Sequence, residues 1–417
     1  MEFIQIQGGS PLKGEVSIQG SKNAALPVMA ASVLVPGITV LKNCPEISDV
    51  SCMCEILKSV GAKVTREKKT LIIDASEIAH YRLPKEYVTR MRSSVILAGA
   101  MLGRCGRIAF HQPGGCVIGD RPIDLHIRAL KQLGAVFEEE GESLSAYADR
   151  LRGRRIVLPI PSVGATENIV LAAVLAEGTT EIYRCAGEPE VRALCDFLNA
   201  AGAKVTGGGS HHITVEGVAR LHDVTYRIEP DRIVAGTYLI GTLAAGGDVF
   251  LHNAPAGQLT AVTGPAAFMG ARIQGGPEGM RVKMAGKIRS LGFLETGVYP
   301  AFPTDLQSPM LVAMCQAEGK GCLRERIFNG RMDVVSELNR MGAKIEVREN
   351  TALMEGGRRL CGCSVTAREL RGGAALVLAG LCAEGFTQVY NRCFIDRGYE
   401  DIVRDLSSLG ANIGSEG

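Results

Sequence analysis

The chain has 417 residues, 46% hydrophobic and 22% charged, which suits a folded soluble protein of two or three domains. Lys plus Arg is 46 and Asp plus Glu 44, a formal net charge of +2, which argues against a general nucleic-acid binder but leaves room for a local basic pocket. Glycine is in excess at 51 residues, yet without a G-X-Y register or a Pro-rich tract, so collagen and disorder are excluded.

In chain order, Met1–Gln5 lacks the basic and apolar regions of a signal peptide. Gly20-Ser21-Lys22-Asn23-Ala24-Ala25 enters a helix that Ser21 can cap, pointing Lys22 and Asn23 at an anion or a developing oxyanion. The stretch 23–41 is apolar enough to suggest a membrane span, but Pro27, Pro36 and Gly37 interrupt it. It reads as a buried helix followed by a turn and a strand, with no membrane role. The 13 cysteines are odd in number and scattered from Cys44 to Cys393, which points to a reducing, cytoplasmic compartment rather than a disulfide framework. The pairs Cys52/Cys54 and Cys361/Cys363 lack the partners that would complete a zinc site, so no metal is expected.

Pro113-Gly114-Gly115-Cys116-Val117-Ile118-Gly119-Asp120-Arg121-Pro122 reads as an exposed, mobile loop, being dense in Gly and Pro and without periodicity. A cysteine near an arginine has a depressed pKa, which makes Cys116 the candidate reactive thiol. Phe302-Pro303-Thr304-Asp305-Leu306-Gln307 places a carboxylate at a helix start, where Asp305 could also serve as a simple cap. Glu369-Leu370-Arg371 and Ile395-Asp396-Arg397-Gly398-Tyr399-Glu400 complete the charged motifs. No P-loop, dinucleotide fingerprint, G-x-S-x-G or H-E-x-x-H occurs, and no cofactor is expected.

The glycines carry a repeat. A Gly-Ala step closes an apolar helical segment at Gly61, Gly134, Gly202, Gly270, Gly342 and Gly410, spaced about 70 residues apart and each followed by a strand-like run. Glycine just past a helix end takes the left-handed conformation without a Cβ penalty. A second series, Gly37, Gly106, Gly178, Gly247, Gly319 and Gly385, follows small-residue helices and precedes further strands. Six units of two helices and several strands fit two globular domains of three units each, with the small-residue helices packed inside. Counting back from the second series reaches helix starts at Lys22, Arg92, Gly164, Arg232, Asp305 and Arg371; counting back from the first reaches Arg121, Arg331 and Arg397. Cations at helix starts oppose the dipole, and their recurrence there suits anion binding better than stability.

At these residues the sequence resembles the enolpyruvyl transferases. The likeness is carried by Ser21 to Ala25, Met91-Arg92-Ser93-Ser94, the loop from Pro113 to His126, Ser162-Val163-Gly164-Ala165-Thr166, Phe302 to Gln307 and Asp396 to Glu400. The Cys116 loop favours the branch acting on UDP-N-acetylglucosamine, because the shikimate-phosphate relative lacks it. The resemblance implies a two-domain inside-out α/β barrel, each domain of three βαβαββ repeats with buried helices. It divides the chain into 22–229 and 1–21 plus 230–417, with the active site in the cleft between them and the Cys116 loop coming down on closure.

The activity implied is transfer of enolpyruvyl from phosphoenolpyruvate to the 3-hydroxyl of UDP-N-acetylglucosamine, releasing phosphate, at the opening of peptidoglycan precursor synthesis. These two small molecules are the partners expected. The resemblance gives Asp305 the proton of the attacking hydroxyl and Cys116 delivery of a proton to the methylene carbon. Lys22, Asn23, Arg397 and Glu369 join the catalytic set, and Lys22, Asn23, Arg121, Arg371 and Arg397 hold phosphoenolpyruvate. Arg92, Arg121, Pro122, Ile123, Asp124, Leu125, Ser162, Val163, Gly164, Asp305 and Ile327 hold the sugar nucleotide. Cys116 is the expected target of the epoxide fosfomycin.

The chain departs from the family at Phe328-Asn329-Gly330-Arg331-Met332-Asp333, which removes an acid and loosens a helix start at Arg331. Glu369 stands where Asp is usual, and Ile96 replaces an aromatic of some members. A catalytically degenerate sugar-nucleotide binder, the shikimate-phosphate enzyme and a repeat-built scaffold are the rival readings. A scaffold has no need of basic helix starts or a reactive loop cysteine.

Overall fold

All six Gly-Ala glycines adopt positive φ, from 83° at Gly410 to 122° at Gly270, so the sharp exit from helix to strand is built as the repeat predicts. Five glycines of the second series do the same. Gly37 does not: a Cβ there would lie 1.9 Å from Asp223 Oδ1, the atom that accepts a 2.9 Å hydrogen bond from Ile38 N. Close approach, not handedness, demands glycine at that position.

The computed structural model describes residues 2–114, 118–119 and 122–416, with Glu140 described by its backbone alone. The chain opens with β1 (Phe3–Gln7) and β2 (Leu12–Ser17). The first repeat is α1 (Lys22–Ala31), β3 (Ile38–Lys42), α2 (Ser48–Ser59), β4 (Lys63–Glu67) and β5 (Thr70–Asp74). After the short α3 (Lys85–Val88) come α4 (Leu97–Cys105), β6 (Arg107–His111), α5 (Asp124–Gln132), β7 (Val136–Glu140) and β8 (Ser143–Tyr147). The third repeat is β9 (Arg155–Val157), α6 (Val163–Ala173), β10 (Thr179–Tyr183), α7 (Pro189–Ala200), β11 (Lys204–Thr206) and β12 (His212–Glu216), followed by β13 (Val224–Arg227). The fourth is α8 (Arg232–Ala245), β14 (Gly247–His252), α9 (Thr260–Met269), β15 (Arg272–Gly276) and β16 (Gly279–Met284). The fifth is β17 (Phe293–Glu295), α10 (Gln307–Gln316), β18 (Gly319–Arg324), α11 (Val334–Arg340), β19 (Ile345–Arg348) and β20 (Thr351–Gly356). The sixth is β21 (Ser364–Thr366), α12 (Leu370–Cys382), β22 (Phe386–Tyr390), α13 (Ile402–Ser408) and β23 (Asn412–Glu416).

Among the described residues the sheets share one plan. The strand after each buried helix has a parallel neighbour on one side and an antiparallel strand on the other, which pairs in turn with the last antiparallel strand. In the second repeat the parallel neighbour shrinks to a bridge between Arg82 and Ala109. The sixth sheet borrows β1, which lies antiparallel to both β22 and β23, with Phe3 opposite Tyr390 and Glu416. The fold is thus the repeated α/β architecture that the glycines imply.

The chain divides into two units. The N-terminal unit holds Gly20–Cys116 and Arg121–Glu229; the C-terminal unit holds Met1–Gln19, Val117–Asp120 and Pro230–Gly417. Each has its own hydrophobic core. In the N-terminal unit, α1, α4 and α6 pack together as nearly wholly buried helices; α8, α10 and α12 do so in the other. Their Ala and Gly content lets the backbones approach closely. A Cβ at Gly99 of α4 would lie 2.2 Å from the carbonyl oxygen of Asn168 on α6. The outer helices bury one face only; on α7, Val191, Leu194, Cys195 and Leu198 are buried while Arg192 is exposed.

Candidate functional site

In the N-terminal unit, Ser21 caps α1 through its hydroxyl, which accepts from Ala24 N at 3.2 Å, and Lys22 is the first helical residue. Lys22 Nζ lies 2.8 Å from Asp49 Oδ2, and both side chains are largely buried. Asp49 was not signalled by the sequence; an acid in the first turn of α2 reads as an ordinary companion of the helix dipole. Asn23 follows at the half-buried start of α1. Arg92 opens a 3-10 turn, Arg92–Ile96, that runs into α4. Pro122 and Asp124 are exposed, Ile123 and Leu125 half-buried, and Asp124 begins α5. Ser162 caps α6, its hydroxyl accepting from Ala165 N at 3.4 Å, with Val163 and Gly164 in the first turn. Cys116 and Arg121 lie outside the described residues.

In the C-terminal unit, the fifth and sixth repeats bring four of the charged residues together. Asp305 sits in a 3-10 turn, Thr304–Leu306, ahead of α10. Arg331 Nη2 donates to Asp305 Oδ1 at 2.5 Å, and Arg371 Nη2 donates to Asp305 Oδ2 at 3.0 Å. The arginine side chains are only 4% and 3% exposed, whereas Asp305 retains 23%. These are buried partners of one carboxylate, not the surface ion pairs that a solvated helix start would carry, and Asp305 is no simple cap. Burial opposes the charge on Arg371, but Asp305, Tyr399 and Asp231 outweigh it and raise the guanidinium pKa further. Among the described residues, Arg371 Nη1 and Arg331 Nε are buried donors without a hydrogen-bond partner.

Glu369 caps α12. Its Oε2 accepts from Arg371 N at 2.7 Å, its Oε1 accepts from Gly372 N, and Arg331 Nη1 lies 3.5 Å from Oε2. The longer side chain therefore doubles back onto its own helix start and braces Arg331. The departure at Phe328–Asp333 leaves Arg331 buried at the start of a 3-10 turn, Arg331–Asp333. Gly330 N donates to Ile118 O at 2.9 Å, and a Cβ at 330 would lie 2.6 Å from Ile118 C.

Arg397 does not start a helix. It ends a 3-10 turn, Arg392–Arg397, and α13 begins only at Ile402. Gly398 and the residues after it are pinned instead by Gln19, whose Nε2 donates to Gly398 O at 3.1 Å and whose Oε1 accepts from Glu400 N at 2.8 Å. The helical spacing misled there because the chain turns before it coils. Ile327 is 37% exposed; Glu325 holds its turn, accepting from Ile327 N at 2.7 Å and Phe328 N at 3.1 Å. Glu325 and Gln19 are further buried polar residues that the motifs did not single out.

No group of three or more His, Cys, Asp or Glu with metal-binding geometry occurs among the described residues, and no helix there is long and apolar enough to cross a membrane.

Residues 6–406 match the family model described as EPSP synthase (3-phosphoshikimate 1-carboxyvinyltransferase). The chain is 42% identical over 99% of its length to a protein of Caldanaerobacter subterraneus subsp. tengcongensis named UDP-N-acetylglucosamine 1-carboxyvinyltransferase 2, covering 99% of it. It is 44% identical to one of Methylacidiphilum infernorum named UDP-N-acetylglucosamine 1-carboxyvinyltransferase, covering 99% of this chain and 98% of that one. Among solved structures, the enolpyruvyl transferase NikO from Streptomyces tendae superimposes with a TM-score of 0.90 at 23% identity, over 99% of this chain and 98% of that one. An EPSP synthase from Acinetobacter baumannii gives 0.77 at 19% identity over the whole of both chains. The chain belongs to the EPSP synthase family of enolpyruvyl transferases, alongside members named UDP-N-acetylglucosamine 1-carboxyvinyltransferase.

Proposed function

We propose that the protein transfers enolpyruvyl from phosphoenolpyruvate to the 3-hydroxyl of UDP-N-acetylglucosamine and releases phosphate, a step of peptidoglycan precursor synthesis in the cytoplasm. The observation that carries this reading is the Asp305 carboxylate gripped by Arg331 and Arg371, an exposed-edge base set in a buried cationic wall. The names of relatives 41–44% identical over 99% of the chain supply the substrate. The shikimate-phosphate alternative is less supported, since the solved EPSP synthase is only 19% identical.

In this reading Asp305 accepts the proton of the 3-hydroxyl as its oxygen bonds to the phosphate-bearing carbon. Cys116 gives a proton to the methylene carbon. Loss of phosphate and of a proton from that methyl group restores the double bond. The dianionic phosphate and the carboxylate of phosphoenolpyruvate require several cations, and Lys22, Arg121, Arg371 and Arg397 are assigned to them, with Asn23 beside the reacting carbon. Glu369 works through Arg331 and the start of α12. Arg92, Arg121, Pro122 to Leu125, Ser162 to Gly164, Asp305 and Ile327 are assigned to the sugar nucleotide.

The test is phosphate release from phosphoenolpyruvate by the purified protein. Release that depends on UDP-N-acetylglucosamine, and not on shikimate 3-phosphate, is expected. Sugar-nucleotide binding without release at high enzyme concentration would establish the degenerate binder instead.

A further inference from the structure

The stretches assigned above to the sugar nucleotide in the N-terminal unit share one side chain, Asn168 of α6, which is wholly buried. Its Oδ1 accepts from Gly99 N at 2.7 Å, and its Nδ2 lies 3.0 Å from Val95 O. A backbone N–H only donates and a carbonyl only accepts, so these two contacts fix which end of the amide is oxygen. The same Nδ2 lies 2.7 Å from His126 Nδ1. The amide has a hydrogen for each of its two partners, so Nδ1 of the imidazole must accept. His126 is therefore neutral, with its proton on Nε2.

The position of the ring gives that proton a direction. His126 directly follows Leu125 and is 8% exposed. Its far edge abuts Gly164, where a Cβ would fall 2.9 Å from Cε1 and 3.3 Å from Nε2. The ring thus spans from the Asn168 amide to the Ser162–Gly164 turn, and only glycine at 164 leaves it room. Asn168 ties together the turn after Arg92, the segment after Pro122 and the turn at Gly164. An asparagine inside an apolar helix is costly unless each polar atom is satisfied, and here each is.

We propose that Asn168 is the positioning residue of the sugar-nucleotide subsite, and that the imidazole it orients, His126, donates its Nε2–H to an oxygen of the nucleotide's diphosphate. This inference rests on the assignment of these segments under the proposed function. A neutral imidazole donor beside the start of α6 suits an anionic acceptor better than a uracil carbonyl.

The experiment is titration of UDP and of uridine into the full-length protein and its His126→Phe, His126→Gln and Asn168→Asp variants, with melting temperatures to confirm folding. His126→Phe keeps the ring volume but has no donor, and is expected to weaken UDP about tenfold to hundredfold, the size of one hydrogen bond to a charged acceptor. Uridine affinity should move less than threefold. His126→Gln, whose amide nitrogen reaches the place of Nε2, should recover most of the loss. In Asn168→Asp, imidazole 15N shifts should show His126 gaining a proton on Nδ1 to meet the new carboxylate. Unchanged UDP affinity in His126→Phe would overturn the proposal, and equal losses for UDP and uridine would overturn its diphosphate assignment. Failure of the unsubstituted protein to bind UDP would overturn the underlying site reading, and the inference with it.

Discussion

Arg371 Nη2 stands 3.0 Å from Asp305 Oδ2, and with Arg331 on the other oxygen it leaves the carboxylate no freedom to turn. Two consequences follow from removing that carboxylate. A general base contributes about 10²–10⁴ in rate, so Asp305→Ala should lose turnover by that factor in a phosphate-release assay while still binding UDP-N-acetylglucosamine. It also takes the carboxylate from two buried guanidinium groups, leaving Arg331 only its longer contact with Glu369 and Arg371 the support of Tyr399 and Asp231, which should cost about 3 kcal/mol in chemical denaturation. Wild-type turnover in a folded Asp305→Ala protein would remove Asp305 as the base.

The thiols separate by environment. Burial pushes Cys195, Cys315 and Cys382 up to about 12 and Cys185 up to about 11, so each is a neutral thiol at ordinary assay pH. Cys361 and Cys393 are exposed, and a small alkylating reagent should find them. Fosfomycin or phosphoenolpyruvate should instead add mass to the peptide containing Cys116, since these compounds need an anion site beside the thiol. Peptide mass mapping decides this. Epoxide adducts on Cys361 or Cys393 with Cys116 unmodified would defeat the assignment of Cys116 as the acid.

The helix ends were legible because left-handed glycine is a local requirement; Gly61 and Gly410 announce their turns without reference to anything distant. The buried helix starts at Lys22, Arg92, Gly164, Arg232, Asp305 and Arg371 were found within about a turn for the same reason. Strand pairing was not local: nothing in Phe3–Gln7 says that its neighbours are Phe386–Tyr390 and Asn412–Glu416. The Lys22–Asp49 pair was hidden because Asp49 lies on a different helix and passes for a dipole companion. Asn168 was hidden by its setting, since one amide in an apolar run looks like a tolerated polar core residue until its partners are known.

Glu167 offers a test by pH. It is 2% exposed on α6, and burial, reinforced by Glu190 and Glu188, raises its pKa well above the ordinary 4.5. The folded chain therefore holds this proton more tightly than the unfolded chain. Its contribution to stability is complete below pH 4.5 and is lost as pH climbs through the folded-state pKa. Glu167→Gln removes that loss, so the melting temperature should rise relative to wild type at about pH 8 and change little at about pH 4. A larger gain on the acid side would contradict the buried, protonated carboxyl.

Two glycines of the second series should respond differently to alanine, because they are needed for different reasons. Gly178 has φ +86° with nothing within 4 Å of a built Cβ, so Gly178→Ala meets only the left-handed penalty, about 1–2 kcal/mol. Gly247 has φ +132°, and its Cβ would lie 1.8 Å from Leu12 O, on the strand that pairs with β14 in parallel. The side chain and the β2–β14 pairing cannot coexist, so Gly247→Ala should lose about 4 kcal/mol or more. Hydrogen exchange should show why: protection falls at Leu12–Ser17 in the Gly247 variant, while the Gly178 variant keeps the wild-type pattern across β10. Equal destabilisation of the two would mean that backbone handedness alone governs the series and that contact with β2 adds nothing.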